Sequence, residues 1–377
     1  MTANKISKID QIEKELTELF NFTGKKRKKF TELLAQLIDL KIEARDPHPM
    51  QIFVFGSNKT LGNKIATLLG IKPASYVIKL FDDNERIPHQ RETVREKDVY
   101  VIFTSQKGKT MDKWKNDYLA FIKSIKWGEP HRVTVVLPLW YQQRADVENH
   151  ELREPKMATH FAELLKAAGV DRIITCKLHN PASSTTDPPM TNIGTSKMLV
   201  KYIKEGISDL SRIAIGTGDM SGAKYARKIA GLLGVPIIIT DKNRDQKSGE
   251  TKPMNIFFDK KPSKKITTVV FIDDIMSTGG TLAKSASSIS SKYPHIVDYI
   301  AVVTHPDFVP KTAATIINSK IKSIWATDTV PISPFFIKKM EKAGKEVKVM
   351  PISKLIARVI DNLHHNVPIS ELWVNGH

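Results

Sequence analysis

Apolar residues in the first part of the chain recur at the spacing of an amphipathic helix. They form two groups separated by Gly24: Ile9, Ile12, Leu16 and Leu19, then Phe30, Leu33, Leu34, Leu37 and Ile38. This pattern predicts a helical hairpin over residues 1–49. The segment Asp46-Pro47-His48-Pro49 ends the hairpin and acts as a linker, because prolines at this spacing cannot continue a helix.

From Gln51 onward, short apolar runs alternate with segments of helical periodicity. The predicted strands are Ile52–Phe55, Val99–Thr104, Val133–Leu137, Ile173–Leu178, Ile213–Ile215, Pro236–Thr240, Val269–Ile272, Tyr299–Thr304 and Ser323–Thr327. Predicted helices between them include Leu61–Leu69, Lys156–Ala168 and Lys224–Leu233. Alternation of this kind is typical of an α/β fold with parallel sheets covered by helices on both faces.

The strands fall into two sets, which predicts two similar α/β domains in tandem, joined near Met198. We assign residues 50–197 to the first domain and residues 198–377 to the second, with the last residues returning to the first. In open α/β sheets, ligands bind beyond the carboxyl ends of the strands, so we expect the functional residues there.

One segment at such a strand end has the composition of a sugar-phosphate site. Residues 271–282 read FIDDIMSTGGTL, in which a strand runs into Asp273 and Asp274 and then into a turn of small residues before a helix. Backbone N–H groups of such a turn, together with the helix N-terminus, can hold a phosphate. Carboxylates can bind ribose hydroxyls or a divalent cation. Glycine lets the backbone come close to the anion.

Composition and charge narrow the class of protein. The chain has 377 residues, enough for two domains, and 41% of them are hydrophobic, as in globular proteins. The formal net charge of +18 indicates polyanionic partners, either nucleic acid or phosphorylated small molecules. Nucleic acid is the less favoured of the two, because the tightest basic cluster, residues 25–29, lacks interleaved aromatic residues and no zinc finger or RNA-recognition signature is present.

The sequence also limits redox chemistry and location. Cys176 is the single cysteine, so an internal disulfide and a cysteine-rich metal cluster are excluded, and its apolar neighbours predict a buried side chain. No apolar run is long enough to cross a bilayer, and the first residues have no signal-peptide core. We therefore expect a cytoplasmic protein with no membrane partner.

Several ordered segments resemble the ribose-phosphate diphosphokinase family, whose members synthesise phosphoribosyl diphosphate (PRPP). The resemblance runs from about Gln51 to Trp373. Its segments are QIFVFGSNKTLGNKIATLLG, KLFDDNERIPHQRETVREKDVYVI, REPKMATHFAELLKAAGVDRIITCKLH, GDMSGAKYARKIAGLLGVPIIITDKNR, AVVTHPDF and IWATDTVP. The resemblance implies a fold of two tandem type I phosphoribosyltransferase-like domains, to which the N-terminal hairpin is an addition.

The family transfers the β,γ-diphosphoryl group of ATP to O1 of ribose 5-phosphate, and the resemblance implies where each substrate binds. Asp273 and Asp274 match the pair that holds the ribose hydroxyls. The 5-phosphate loop corresponds to Ser277, Thr278, Gly279, Gly280 and Thr281. Catalysis of this kind relies on positioning and on cations that stabilise developing charge.

The ATP side of the site is implied by further matches. Lys242 and Arg244, two residues apart on an extended segment, match the clamp on the transferring group. His179 and Asp219 match the positions that bind magnesium and the triphosphate, so the implied cofactor is Mg²⁺, and His179 also counts as a catalytic candidate. The adenine, in the family, is held across a subunit boundary by residues that correspond to Phe81, Asp83 and Glu85. A homodimer is then the smallest active unit, and the family commonly builds hexamers from such dimers.

The sequence departs from the family pattern at several positions. The flexible loop usually reads Y-A-R-Q-D, whereas residues 141–146 read YQQRAD and lie about two residues farther from the Arg153-Glu154-Pro155 motif. Arg144 and Asp146 are our candidates for the ATP-binding roles of that loop. The D-L-H motif becomes Lys177-Leu178-His179, and the following segment lacks the residues associated with regulation by ADP or phosphate.

These departures leave four hypotheses. The leading one is an ATP-dependent synthesis of PRPP from ribose 5-phosphate. The second keeps the chemistry but uses a larger 5-phosphorylated ribose, such as ADP-ribose, because the altered loop could admit it. The third is a phosphoribosyltransferase, and the fourth is a non-catalytic regulatory paralogue that assembles with a true synthetase.

Overall fold

The computed structural model describes residues 48–56, 58–104, 111–241, 255–259 and 263–370, together with scattered positions between 11 and 36. Residues 1–49 and 50–377 form two separate compact units. In the first unit, every described position between 11 and 36 is helical. The hairpin arrangement of that unit stays a prediction, since most of its residues lie outside the described part.

The second unit contains a first parallel sheet of five strands in the order β1-β4-β5-β6-β7. The strands are β1 Met50–Phe55, β4 Asp98–Phe103, β5 Arg132–Leu137, β6 Arg172–Cys176 and β7 Met190–Ile193. Every residue of β4 is buried, because helices cover the sheet on both faces and leave no polar face. Between β1 and β4 the chain forms an antiparallel hairpin of β2 Tyr76–Leu80 and β3 Arg86–Gln90.

A second sheet of seven strands has the order β10-β9-β8-β11-β12-β13-β14. Among the described residues of this sheet, only β10 pairs antiparallel to its neighbour. The strands are β8 Ile213–Thr217, β9 Ile237–Asp241, β10 Asn255–Phe258, β11 Thr268–Ile275, β12 Asp298–His305, β13 Ser323–Thr327 and β14 Glu346–Met350. The central strand β11 lies between β8 and β12, so its carboxyl end is flanked by loops on both sides.

Helices connect these strands. They are α1 Thr60–Leu68, α2 Met111–Trp127, α3 Met157–Ala168, α4 Ser196–Gly206, α5 Ala223–Leu233, α6 Gly280–Lys292, α7 Thr312–Ile317, α8 Pro334–Lys342 and α9 Ser353–His364. Helix α3 ends at Gly169, whose φ of 103° is the left-handed conformation that a glycine cap adopts without strain. In the described part of the chain, none of these helices has the length and apolar character needed to span a bilayer.

The C-terminal helix α9 belongs to the core of the first sheet. Ile356 and Ile360 pack in one cluster with Ile52 of β1 and Ile65 of α1. Helix α4 follows the first sheet and leads to the second, and its Met198 packs against the cores of both. The two sheets are therefore joined by shared apolar packing as well as by the chain.

A buried charged network attaches the end of α9 to the first sheet. Asp98, at the start of β4, accepts hydrogen bonds from Arg132 at 2.9 and 2.5 Å and from Tyr100 at 3.1 Å. The ring of His364 lies 2.9 Å from the same carboxylate. Burial would raise the pKa of Asp98, but the hydrogen bonds from His364 and Arg132 outweigh it and lower this pKa to about 2.

All nine predicted strands and the three named helices are present, within a few residues of the predicted bounds. Five strands were not predicted: β2, β3, β7, β10 and β14. They share short length and partly exposed residues, so that no continuous apolar run marks them in the sequence. Cys176 is buried, as predicted.

Candidate active site

The segment after β11 forms a turn that opens helix α6. Gly279 stands at the N-cap with a φ of 73°, and an added Cβ there would lie 2.7 Å from the end of Met276 and 2.8 Å from Ile316. The N–H of Gly280 donates to the Thr278 hydroxyl at 3.2 Å. The first turn of α6 carries no acidic side chain, so no carboxylate of this turn repels an anion at the helix N-terminus.

Helix α7 and the end of strand β12 hold this turn in place. The Thr312 hydroxyl donates to the Ser277 carbonyl at 2.5 Å, and the Met276 N–H donates to the His305 carbonyl at 3.0 Å. On the other side, a Cβ on Gly218 would lie 2.7 Å from the Thr281 methyl group, so the loop after β8 approaches closely. The turn therefore has fixed walls on both sides.

His179 and Asp274 form the central contact of the site. His179 follows β6 of the first sheet, and Asp274, 95 residues later, is the last but one residue of β11 in the second. The Nδ1 atom of His179 lies 2.7 Å from an oxygen of Asp274. This hydrogen bond raises the pKa of His179, more than burial lowers it, and the charges of Asp274 and Asp146 act in the same direction.

The pKa values of the adjacent acids Asp273 and Asp274 are shifted in opposite directions. Burial raises the pKa of Asp273 well above its ordinary value, and the charges of Asp274 and Asp219 add to this increase. Burial would do the same to Asp274, but the hydrogen bond to His179 and the charge of Lys177 prevail, so the pKa of Asp274 is lowered. The pair thus combines one carboxylate held in its charged form with one that favours a proton or a cation.

Lys177 places a positive charge beside this pair. It lies in the turn after β6 with a φ of 35°, a strained conformation for a residue with a Cβ. Its ammonium donates to the Leu178 carbonyl at 3.0 Å and lies 4.4 Å from the centre of the Tyr225 ring. Burial lowers the pKa of Lys177, while the charges of Asp274 and Asp273 oppose that decrease.

His305, the last residue of β12, connects the second sheet to the end of β6 in the first. Its Nε2 donates to the Cys176 carbonyl at 3.1 Å, and its Nδ1 lies 3.0 Å from the Thr329 hydroxyl. Burial lowers the pKa of His305 to about 4, so the ring is neutral near pH 7. Sequence reasoning gave no role to His305 or Lys177. The available signals were the position of each near the carboxyl end of a predicted strand and, for Lys177, the replacement of the family's acid.

Asp219 lies in the turn between β8 and α5. Its carboxylate accepts hydrogen bonds from the Ser221 hydroxyl at 2.6 Å and from the Gly222 N–H at 3.0 Å. Because its charge contributes to the raised pKa of Asp273, Asp219 belongs electrostatically to the same acidic group.

The predicted flexible-loop residues also reach the site. Arg144 donates to the carbonyl of Ile275, the last residue of β11, at 3.0 Å. Gln143, whose role the sequence did not indicate, accepts a hydrogen bond from the His179 N–H at 2.7 Å. Asp146 is near enough for its charge to act on His179. The segment 141–146 therefore lies against both sheets.

The predicted adenine-binding residues lie elsewhere. Phe81, Asp83 and Glu85 occupy the tip of the β2–β3 hairpin, where the Glu85 N–H donates to Asp83 at 3.0 Å and the Lys79 ammonium lies 4.2 Å from the Phe81 ring centre. Asp83 and Glu85 are exposed. In the described part of the chain, no hydrogen bond or ion pair links this tip to His179, Asp274 or the turn before α6. Lys242 and Arg244 lie outside the described residues.

The geometry therefore places the turn at residues 277–281 beside an acidic group and two cationic side chains. The acids are Asp219, Asp273 and Asp274, and the cations are Lys177 and Arg144. Such a site can hold a phosphate at the start of α6 and hydroxyl groups or a divalent cation at the carboxylates. Charge on both sides allows it to bind a second anionic substrate close to the first.

Comparison with known proteins assigns two family models to the chain. Residues 50–169 match the N-terminal domain of ribose phosphate pyrophosphokinase, and residues 194–331 match the phosphoribosyl transferase domain. The ribose-phosphate pyrophosphokinase of Shewanella oneidensis is 30% identical over 326 residues, which cover 86% of this chain and 98% of that protein. That of Campylobacter jejuni is 28% identical over 325 residues, which cover 86% of this chain and 99% of that protein.

A solved structure has the same fold. The crystal structure of phosphoribosylpyrophosphate synthetase from Mycobacterium smegmatis superposes with a TM-score of 0.73 at 25% sequence identity. The match covers 84% of this chain and 99% of that chain. Two tandem phosphoribosyltransferase-like domains, as predicted, are thus confirmed as the fold.

Proposed function

The chain belongs to the ribose-phosphate pyrophosphokinase family, and from this premise we propose that it transfers the β,γ-diphosphoryl group of ATP to O1 of ribose 5-phosphate, forming PRPP and AMP. Membership makes it a diphosphotransferase of nucleotide biosynthesis. The phosphoribosyltransferase and the regulatory paralogue remain the less favoured hypotheses. The relatives that match over 86% of the chain are ribose-phosphate pyrophosphokinases.

The observation that carries the proposal is the contact between His179 and Asp274. It brings the ATP-side histidine of the first domain within 2.7 Å of the ribose-side acid of the second. An enzyme that joins two substrates needs their binding groups held at reacting distance, which lowers the entropic cost of the reaction. The two sets of predicted residues meet at this contact.

The site suggests how the two substrates would react. Ribose 5-phosphate would place its phosphate on residues 277–281 and its hydroxyls at Asp273 and Asp274. Attack by O1 on the β-phosphorus breaks the bond to the α-phosphate oxygen, and AMP leaves. Charge that develops on the transferring group would be stabilised by Lys242 and Arg244, with His179, because fixed cations act strongly in a site that excludes water.

The acidic group supplies the type of donor atoms that a magnesium ion prefers. The carboxylates of Asp219 and Asp273 are hard oxygen donors. Burial is the main cause of the raised pKa of Asp273, and a bound cation would relieve the repulsion from Asp274 and Asp219 that adds to it. Magnesium would neutralise ATP phosphate charge when bound. His179 would contribute through its Nε2 atom, since Nδ1 is held by Asp274.

The adenine-binding residues support an oligomer. Phe81, Asp83 and Glu85 lie at the hairpin tip, without a described hydrogen bond or ion pair to the site of the same chain. We propose that this tip, with Arg144 and Asp146 of the neighbour, completes the ATP site across a dimer, and that such dimers can build hexamers. Light scattering of the purified chain tests this directly, and a monomer that is fully active would contradict it.

One assay tests the reaction and its acceptor. The protein is incubated with ATP, Mg²⁺ and either ribose 5-phosphate or ADP-ribose, and AMP release is followed. We expect AMP with ribose 5-phosphate. Release only with ADP-ribose would move the proposal to the larger acceptor, and no release with either would refute the diphosphotransfer.

A variant tests the catalytic clamp in the same assay. Lys242→Ala should lower turnover by roughly a hundredfold or more, because a cation at the transferring group is lost, while the oligomer remains intact. Lys348→Ala is a suitable control, since Lys348 lies over the Trp325 ring in the second domain. Near-normal turnover of Lys242→Ala would remove this residue from catalysis.

A further inference from the structure

His305 lies where the second sheet meets the end of β6 in the first. Its side chain is completely buried, with an exposure of 0%. Along the paired strands β11 and β12 it stands opposite Ile275, so it is level with the end of the strand that carries the acidic pair. The residue therefore occupies a position between the two halves of the candidate site.

The main chain of His305 holds the ribose-phosphate half of the site. Its carbonyl accepts the Met276 N–H at 3.0 Å, and Met276 immediately precedes the turn at residues 277–281. The same carbonyl accepts the Asp307 N–H at 2.9 Å. Both bonds involve backbone atoms alone, so a change of the His305 side chain leaves their donors and their acceptor in place.

The ring of His305 holds the other half of the site. Its Nε2 atom lies 3.1 Å from the Cys176 carbonyl oxygen and 3.2 Å from the Lys177 carbonyl oxygen. Because carbonyl oxygens only accept, the proton belongs on Nε2, and Nδ1 accepts from the Thr329 hydroxyl at 3.0 Å. Burial lowers the pKa of the ring to about 4, in agreement with a neutral ring that has one N–H. The Nε2-protonated tautomer is thus assigned from the partners of the ring.

The segment that receives these bonds carries the groups of the ATP half. Lys177 adopts a φ of 35°, a conformation that persists in a residue with a Cβ only where surrounding contacts impose it. Its N–H donates to the Ile193 carbonyl at 2.9 Å, within the first sheet. His179 follows two residues later, 2.7 Å from Asp274. The ring of His305 therefore ties this strained segment to the second sheet just before the segment reaches the reacting groups.

We propose that His305 is a positioning residue for diphosphoryl transfer, an inference that rests on the function proposed above. Its ring fixes the end of β6, and with it His179, relative to the phosphate turn that its own carbonyl fixes. The transferring group must meet O1 of the ribose between these two halves, and a displacement of about 1 Å can lower a rate a hundredfold. His305 touches neither substrate and acts through Lys177 and His179.

A histidine that only fills the core would act differently. Its loss would lower stability and affect both halves of the site alike. The positioning role predicts a split, because the ring contacts the ATP half whereas the backbone alone contacts the ribose-phosphate half. Comparing turnover with the affinity for ribose 5-phosphate therefore separates the two roles.

Two amide variants at this position differ only in reach. The side-chain nitrogen of glutamine is as many bonds from Cα as the Nε2 atom of histidine, so His305→Gln can still donate to the Cys176 and Lys177 carbonyls. His305→Asn is one bond too short. In the AMP-release assay we expect His305→Asn to lower kcat about tenfold or more and His305→Gln to stay within about threefold of native. The Kd for ribose 5-phosphate, from calorimetry, should stay within about twofold of native in both.

Equal kcat values in the two variants overturn the proposal, whether both keep native turnover or both lose it. A parallel loss of kcat and of ribose 5-phosphate affinity in His305→Asn also overturns it, since the ring would then hold the fold as a whole. His295→Leu is the matched control. His295 precedes β12 at the opposite end of the same strand, so loss of its ring should leave kcat and the affinity unchanged.

Hydrogen exchange tests the positioning without the reaction. In His305→Asn, the amides of residues 174–179 should exchange about tenfold faster than in the native protein, because the segment loses its tie to the second sheet. The amides of residues 276–281 should keep their native rates, because the carbonyl of residue 305 remains. Unchanged exchange at 174–179 overturns the proposal. If the native protein releases no AMP, the diphosphotransfer fails, and the exchange rates still decide the role of His305.

Nitrogen NMR of the native protein, with ¹⁵N-labelled histidine, needs no variant to fold. We expect His305 as the Nε2-protonated tautomer, because that proton lies between the ring and the two carbonyls of β6. An Nδ1-protonated ring would overturn the proposal, since Nε2 could not then donate to those carbonyls.

Discussion

Replacement of Asp98 by asparagine should lower the free energy of unfolding by about 3 kcal/mol at pH 7, because it leaves Arg132 without the counter-charge of a buried carboxylate and removes the partner of the His364 ring. Asp98 is 2% exposed, and Arg132 and His364 are 23% and 6% exposed. Since His364 ends helix α9, the substitution also weakens the attachment of that helix to the first sheet.

The pH dependence of the unfolding free energy gives a second value for the contribution of Asp98. The pKa of Asp98 falls from 3.8 to about 2 on folding. At 1.36 kcal/mol per pKa unit, this decrease corresponds to about 2.4 kcal/mol. Because the folded-state pKa is lowered, this stabilisation is fully present above about pH 4, falls to roughly half by pH 3 and is lost as the pH drops through about 2.

Urea unfolding followed by circular dichroism, repeated between pH 7 and pH 3, measures both effects. The difference in unfolding free energy between the native protein and Asp98→Asn should shrink by about 1 kcal/mol at the acid end. Asp298→Asn is the matched control, because the Asp298–Lys322 pair is 41% and 60% exposed, and an exposed pair contributes at most about 1 kcal/mol. A stability of Asp98→Asn within about 0.5 kcal/mol of native, or a difference that stays constant with pH, would refute the reasoning.

Three further substitutions test the site. Gly279→Ala should raise the KM for ribose 5-phosphate about tenfold or more in the AMP-release assay, because the residue has a φ of 73° and its Cβ would lie 2.8 Å from Ile316; an unchanged KM would show that the turn tolerates a side chain. Lys177→Met should lower turnover about tenfold relative to the charge-preserving Lys177→Arg, since the acidic pair loses its nearby cation, and equal turnover in both would contradict this. In Asp274→Asn the pKa of His179, followed by NMR of its ring protons, should decrease, because the hydrogen bond to that carboxylate raises it; a pKa equal to that of the native protein would exclude the contact.

Much of the fold could be predicted from local sequence because burial on both sides of a parallel sheet produces continuous apolar runs. Strands such as β4 and β12 are of this kind, and their predicted bounds agree with the structure to within two residues. Strands β7 and β14 could not be recognised, because each lies at the edge of its sheet and carries a mixture of polar and apolar residues.

Part of the candidate site could likewise be predicted from local sequence. The sequence of residues 271–282 by itself determined an acidic pair and a glycine turn that opens a helix, because a strand, a glycine with positive φ and a helix start are local features of the chain. It could also place His179 and Asp274 at strand ends. The functional roles of these residues remain predictions until the variants are measured.

Only the tertiary structure decided which of these groups meet. The 2.7 Å contact between His179 and Asp274 spans 95 residues, and the one between Gln143 and the His179 N–H spans 36. The second contact joins loops that follow neighbouring strands of one sheet. The first depends on how the two sheets pack, as does the position of Lys177 beside the acids. Local periodicity reports which face of an element is buried, but it carries no information about which distant element covers that face.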